Sequence, residues 1–133
     1  MLDKKFLDSN VILYALGDEL SKKKIAQDLL EQKPILSTQV LTEVSQVCLK
    51  KFKLDPDLVS QWIELLQTKT QIISVTSEMI QSAIKLFDRY QYSFYDSLII
   101  AASLHAKVDI LYSEDLQNGQ CIEGLRIINP FIA

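Results

Sequence analysis

Four acidic residues stand where a chain could do chemistry with oxygen ligands alone: Asp8, Glu43, Asp96 and Asp115. Asp8 follows the short run Lys5-Phe6-Leu7, and Ser9-Asn10 leaves it little loop in which to drift. Asp115 comes just after the apolar run Val108 to Tyr112, beyond Ser113-Glu114. Glu43 lies three residues after Val40 and four before Val47, so on a helix it shares or borders their apolar seam. Carboxylates rarely face a core unless they are paired or bound to a cation. Asp96 opens the run Leu98 to Leu104, a helix apolar nearly all round, whose N-terminus should project an acid from the middle of the protein. Each acid also has a plainer reading. Asp8 and Asp115 can face solvent at strand ends, and Glu43 can reach past the edge of its stripe to water. Asp96, three residues after Ser93, fits a capping box and suits the helix dipole.

Taken together, the four acids would repel one another and raise their pKa values unless cations neutralised them. An all-oxygen site suits hard divalent ions such as Mg²⁺ or Mn²⁺. Such ions activate water, hold phosphate and stabilise the leaving oxygen in phosphodiester hydrolysis. That chemistry needs no His or Cys nucleophile, which agrees with what the chain lacks. Cys48 falls in a helical pattern and Cys121 in a polar loop; one histidine, His105, cannot complete a zinc set with them. His105 has no carboxylate partner nearby in sequence and reads as structural. Trp62, Phe94 and Tyr95 could stack on RNA bases but read better as helix-packing residues, and Arg89 fits either a phosphate contact or a pairing with an acid on its helix.

A formal net charge of −3 argues against a protein that coats nucleic acid, without excluding an enzyme that cuts it. The lysines at 22–24, and at 50, 51 and 53, read as solvated helix faces. No apolar run is long enough to cross a bilayer, and Met1-Leu2-Asp3-Lys4-Lys5 offers no signal-peptide core, so a cytoplasmic protein is expected.

The acids need elements to position them. At 133 residues, with three glycines, three prolines and no linker-like tract, the chain reads as a single domain over 1–133. Short apolar runs alternate with longer helical patterns, which predicts an α/β fold with a parallel sheet and helices on both faces. Expected strands are 5–7, 34–37, 71–75, 108–112 and 125–128. The first helix follows Ser9-Asn10 and ends at Gly17-Asp18. A second begins at an N-cap on Ser21 and carries the stripe Ile25, Leu29 and Leu30. A third spans about Thr38 to Lys51 on Val40, Val44, Val47 and Cys48. Asp55-Pro56 opens a fourth, Thr76 or Ser77 caps a fifth, and Ser93 to Asp96 opens the sixth. In open α/β sheets ligands bind beyond the carboxyl ends of the strands, where Asp8 and Asp115 fall.

Four segments also carry a family resemblance. Phe6-Leu7-Asp8-Ser9-Asn10-Val11-Ile12-Leu13-Tyr14 closely resembles the opening strand and turn of PIN-domain nucleases, particularly bacterial VapC-like toxins. Ser37 to Val44, Tyr95 to Ala102 and Leu111 to Leu116 resemble the family's second, third and fourth motifs, and Gly119 to Phe131 is similar to one subset of its members. The match runs in the expected order from end to end, with Ser9 where many relatives carry Thr. The resemblance implies a PIN-like three-layer fold with a five-stranded parallel sheet in the order 3-2-1-4-5. It implies a Mg²⁺- or Mn²⁺-dependent endoribonuclease acting on RNA and, more narrowly, the toxin of a type II toxin–antitoxin pair. By position Asp8 and Asp96 would be the principal metal ligands, Glu43 would bind metal or orient its water, and Asp115 would complete the pocket. Ser9, Asn10 and Ser113 would support them by hydrogen bonds. Glu114 adjoins Asp115, and the resemblance favours Asp115 as the pocket residue. A homodimer and a small antitoxin partner are implied too.

Other readings stay in view. A receiver-like signalling module would need an Asp after the third strand and a Lys after the fifth, where Val75-Thr76-Ser77 and Asn129-Pro130 stand. A PIN-like module that binds RNA or a partner without cleavage, a housekeeping RNA-processing nuclease, and a nuclease acting on DNA are the remaining alternatives.

Overall fold

The first four strands are short apolar runs without alternation; those inside the sheet are largely buried on both faces, and the one at its edge is more exposed. In the computed structural model, which describes residues 4–132, they are β1 Lys5–Leu7, β2 Ile35–Ser37, β3 Gln71–Ile73 and β4 Ile110–Tyr112. Met1 to Asp3, part of the stretch read for a signal peptide, lie outside the described residues. Phe6 pairs in parallel register with Ile35 on one side and Leu111 on the other; Leu36 pairs with Ile72. Phe6, Leu7, Leu36 and Leu111 have no solvent exposure.

Two further strands, β5 Cys121–Ile122 and β6 Leu125–Ile128, complete a six-stranded sheet in the order β3-β2-β1-β4-β6-β5. The parallel strands keep the predicted order, with β6 as the expected fifth. The extra strand is the difference: β5 runs antiparallel to β6, and Cys121, expected in a loop, pairs with Arg126. Glu123 and Gly124 both have positive φ, 49° and 89°, the backbone that a two-residue hairpin requires. Two residues are too few for periodicity to announce a strand.

The helices are α1 Ser9–Leu16, α2 Leu20–Leu30, α3 Thr38–Gln46, α4 Pro56–Lys69, α5 Ser77–Tyr90 and α6 Phe94–His105. Helix α3 runs on through a wider π-helical turn, Val47–Lys51, so its predicted end is right although its last turn is loosened. Pro56 occupies the first turn of α4, and the Thr76 hydroxyl caps α5 by accepting from the Met79 N–H at 3.3 Å. Helix α2 departs from expectation. It starts at Leu20, leaving Ser21 inside the first turn, and it buries Ala26, Leu29 and Leu30 while Ile25 stays partly exposed. The buried trio keeps i, i+3, i+4 spacing, and the small Ala26 lets α2 approach α1 closely.

Helix α6 is buried without interruption from Ser97 to Ser103 and packs on α5. Its predicted all-round apolarity thus matches a central position. Beyond β1 the chain winds through β2 and β3 to one side, and β4 and β6 lie on the other. The order therefore reverses between β1 and β4, and at such a switch the connections diverge and leave a crevice at the carboxyl ends of the strands. Among the described residues no helix is long and apolar enough to cross a membrane.

Candidate active site

Asp8 leaves β1 at that crevice and caps α1 in the same step. Its Oδ1 accepts the Ser9 N–H at 2.7 Å, which satisfies one of the donors that a helix start leaves free. Its backbone N–H stays in the sheet, donating to the Tyr112 carbonyl at 3.0 Å. The carboxylate is therefore held by strand and helix together, and only 4% of the residue is exposed.

Ser113, fully buried just past β4, donates its hydroxyl to Asp8 Oδ2 at 2.8 Å and accepts the Asp115 N–H at 3.2 Å. Asn10 bridges the same two acids: its Nδ2 lies 3.2 Å from Asp8 Oδ2 and 3.2 Å from Asp115 Oδ2. Its Oδ1 accepts the Glu114 N–H at 3.0 Å, which orients the amide with its NH₂ toward the acids. Asp8, Ser9, Asn10, Ser113 and Asp115 thus form one connected corner between the first turn of α1 and the turn after β4.

Glu43 and Asp96 approach from the other side. Glu43 is half-buried on α3, and its Oε2 accepts from Gln39 Nε2 at 3.3 Å. The same Gln39 amide donates to the Tyr95 carbonyl at 3.0 Å, so one side chain ties α3 to the start of α6. Asp96 sits in the first turn of α6, where the Ser93 hydroxyl accepts its backbone N–H at 3.1 Å. The capping geometry expected from sequence is present, and the Asp96 carboxylate still lies within electrostatic reach of both Asp8 and Asp115. A cleft of about 510 Å³ opens over the cluster, lined in part by Ser9, Asn10, Gln39, Glu43, Tyr95 and Asp115.

Burial pushes the Asp8 carboxyl up to about 6, against the opposing bonds from Ser113 and Ser9; the charges of Glu43 and Asp96 push the same way. Burial likewise raises Asp96, with the charge of Asp115 adding to it and Ser93 opposing. For both acids burial is the larger cause, and the charges of neighbouring carboxylates add to it. As placed, no three Asp, Glu, His or Cys side chains among the described residues form a group that could hold a metal ion.

Residues 5–117 match the PIN domain family. The chain belongs to that family. No curated protein sequence matches it. Its fold is nevertheless shared with solved structures at low identity. A toxin–antitoxin complex from Klebsiella pneumoniae is 20% identical with a TM-score of 0.70, over 96% of this chain and 98% of that one. DNA-bound VapBC from Salmonella typhimurium is 16% identical with a TM-score of 0.70, over 95% and 97%. VapC20 of Mycobacterium tuberculosis, a toxin that cleaves the sarcin–ricin loop, is 17% identical with a TM-score of 0.68, over 84% and 92%.

Within this PIN domain the two acids after β4 part ways. Asp115 joins Asn10, whereas Glu114 turns to Lys22 at 2.6 Å and to the Tyr14 hydroxyl at 2.7 Å. Three contributors were not singled out from sequence. Gln39 precedes Glu43 by four residues, a spacing that puts both on one helix face and was available as a signal. Lys22 and Tyr14 carried none, because nothing local tells which lysine folds onto a carboxylate 92 positions away. His105 is exposed at the end of α6, away from the acids, in keeping with its structural reading.

Proposed function

We propose that this single PIN domain, residues 1–133, is a divalent-metal-dependent endoribonuclease and the toxin of a toxin–antitoxin pair. One observation carries the reading: a buried Asp8 at the carboxyl end of β1 that shares Asn10 with Asp115 and lies within electrostatic reach of Glu43 and Asp96. An acid corner of that kind gains from a cation. The donor set is all oxygen and suits Mg²⁺ or Mn²⁺. Mg²⁺ keeps several waters and needs only one or two carboxylates directly, so a site without three converged acids still fits it.

Asp8 and Asp96 would be the principal ligands, Glu43 would bind the ion or orient its water, and Asp115 would complete the pocket. Ser9, Asn10 and Ser113 would hold those acids in place. When bound, the metal supplies an activated water and neutralises charge on the phosphate. The residues of the chain supply the rest: Asn10 keeps Asp8 and Asp115 side by side, and Gln39 keeps Glu43 turned toward the first turn of α6.

The toxin role draws on the resemblance of the fold to toxins seen with their antitoxins. An apolar groove adjoins the acid cleft through Leu13 and continues past Leu16, Phe52 and Trp62, a surface on which an antitoxin segment would seat. Ile80, Ile84 and Phe87 form an exposed stripe on α5 that a homodimer would cover. RNA is the expected substrate and the cytoplasm the expected compartment. Binding of RNA or a partner without cutting is the second reading, and one experiment separates the two.

The test compares wild type with Asp8→Asn on structured and unstructured RNA, and on DNA, with Mg²⁺, Mn²⁺ or EDTA. Cleavage of RNA by wild type alone, abolished by EDTA, is expected. If both proteins bind RNA and neither cuts it in any metal, the binding module is the correct reading.

A further inference from the structure

Glu114 has both carboxylate oxygens committed on the side facing away from the acid corner. Lys22 Nζ reaches Oε2 at 2.6 Å and the Tyr14 hydroxyl reaches Oε1 at 2.7 Å; Lys22 also donates to the Tyr14 oxygen at 3.1 Å. The ammonium sits 4.5 Å from the centre of the Tyr14 ring and 5.5 Å from that of Phe131, whose edge meets Tyr14 at 4.9 Å. Exposed ion pairs usually contribute little, because two long side chains must be frozen for a screened attraction. This pair differs in that aromatic faces and a phenol already confine the lysine, and cation–π attraction adds to the grip. The lysine is held above its ordinary pKa by Glu114 first and Tyr14 second. On Glu114, burial acts upward but is outweighed by the bonds from Lys22 and Tyr14, and the carboxyl falls below its ordinary range.

The same residue touches the acid corner through its backbone. The Glu114 N–H donates to Asn10 Oδ1, and that bond aims the Asn10 NH₂ at Asp8 and Asp115. We propose that Glu114, gripped by Lys22 and Tyr14, is a positioning residue: it anchors the turn at 113–115 so that Asn10 keeps Asp8 and Asp115 within reach of one cation. The lysine of this latch acts on the site from α2, through one side chain and one backbone N–H. The inference rests on the metal-nuclease reading above and names how that site is held in shape.

The test is Mn²⁺ binding to the full chain, followed by the loss of the free-ion electron paramagnetic resonance signal, beside RNA cleavage at varied Mn²⁺ and varied RNA. Lys22→Met and Glu114→Gln are expected to weaken Mn²⁺ binding about 3- to 10-fold, somewhat less than the loss of a group that bonds a ligand directly. The Mn²⁺ needed for half-maximal cleavage should rise by the same factor, with KM for RNA unchanged. The double variant should be no worse than either single one, and Lys22→Arg should recover most of the loss by keeping the charge over the rings. Tyr14→Phe keeps the ring, removes one bond to Glu114 and should shift Mn²⁺ binding in the same direction, which preserves the test if a Lys22 variant unfolds. Unchanged Mn²⁺ binding in folded Lys22→Met and Glu114→Gln overturns the latch while leaving the nuclease reading intact. A raised KM for RNA at unchanged Mn²⁺ affinity overturns it too and makes Lys22 an RNA contact. Wild type that shows no Asp8-dependent Mn²⁺ binding removes both proposals together.

Discussion

The two halves of the acid crevice are built differently. On the side of β1 and β4, Asp8 and Asp115 belong to a closed set of hydrogen bonds through Ser9, Asn10 and Ser113. On the side of α3 and α6, Glu43 has a single partner in Gln39, and Asp96 is placed chiefly by the backbone of its helix start. Buried oxygens without a hydrogen-bond partner, Gln39 Oε1, Ser37 Oγ and Ser97 Oγ, also belong to the second side. Bonds from both β1 and β4 cross-link the first half, which makes it the more rigid wall. The second half has fewer such bonds and keeps ligand capacity unspent.

The hardest blow to the rigid wall is Asp8→Asn. Cleavage in saturating Mg²⁺ should fall by more than about a hundredfold, beyond what supporting groups usually cost. Activity left near wild type would mean that the rigid wall is not the catalytic one.

Stability should move the opposite way. Asp8 binds its proton more tightly in the folded chain, with a pKa of about 6 against an ordinary 3.8. Its contribution is therefore full below about pH 4 and lost as pH rises through 6. That difference corresponds to about 3 kcal/mol. Without metal, denaturant unfolding should show the chain losing stability from this group between pH 4 and 7; Asp96, also raised, acts in the same direction, while Glu114, whose pKa is lowered from 4.5, acts in the other direction and below that window. In Asp8→Asn this loss should be absent. A pH dependence identical in the two proteins would contradict the buried, proton-hungry Asp8.

Smaller changes compare the walls directly. Asn10→Ala should weaken Mn²⁺ binding by about 10- to 100-fold, because one amide holds both Asp8 and Asp115. Gln39→Ala should cost less than about tenfold, since Glu43 can find a new rotamer around an entering ion. The reverse ranking in a Mn²⁺ titration would assign the rigid role to the α3 side. Least of all, Ser93→Ala removes the cap on α6 and should lower stability by about 1 kcal/mol in denaturant unfolding, with metal affinity nearly unchanged.

Much of this was legible along the chain. The ends of α3, the helix starts at Pro56 and Ser93 and the central burial of α6 follow from local pattern, whereas the parallel strand order comes from the family resemblance. The exceptions have separate causes. The β5 hairpin rests on two positive-φ residues, too short a feature for periodicity, and α2 turned Ile25 outward because Ala26 fits more closely against its neighbour. The acids divided likewise. Asp8 was nameable because the short Ser9-Asn10 turn leaves it little loop in which to drift, and Glu43 because it borders an apolar seam.

By itself, then, the order of residues determined which acids stand at element ends, since strand and helix periods are local properties of the backbone. Only the tertiary structure decided which acids share partners. Asn10 meets Asp115 across 105 positions, and Glu114 turns away to Lys22 across 92. Hydrogen-bond partners at that separation are chosen by how the sheet brings β1 beside β4, and local pattern alone does not tell neighbouring acids such as Glu114 and Asp115 apart, although the family resemblance favours Asp115.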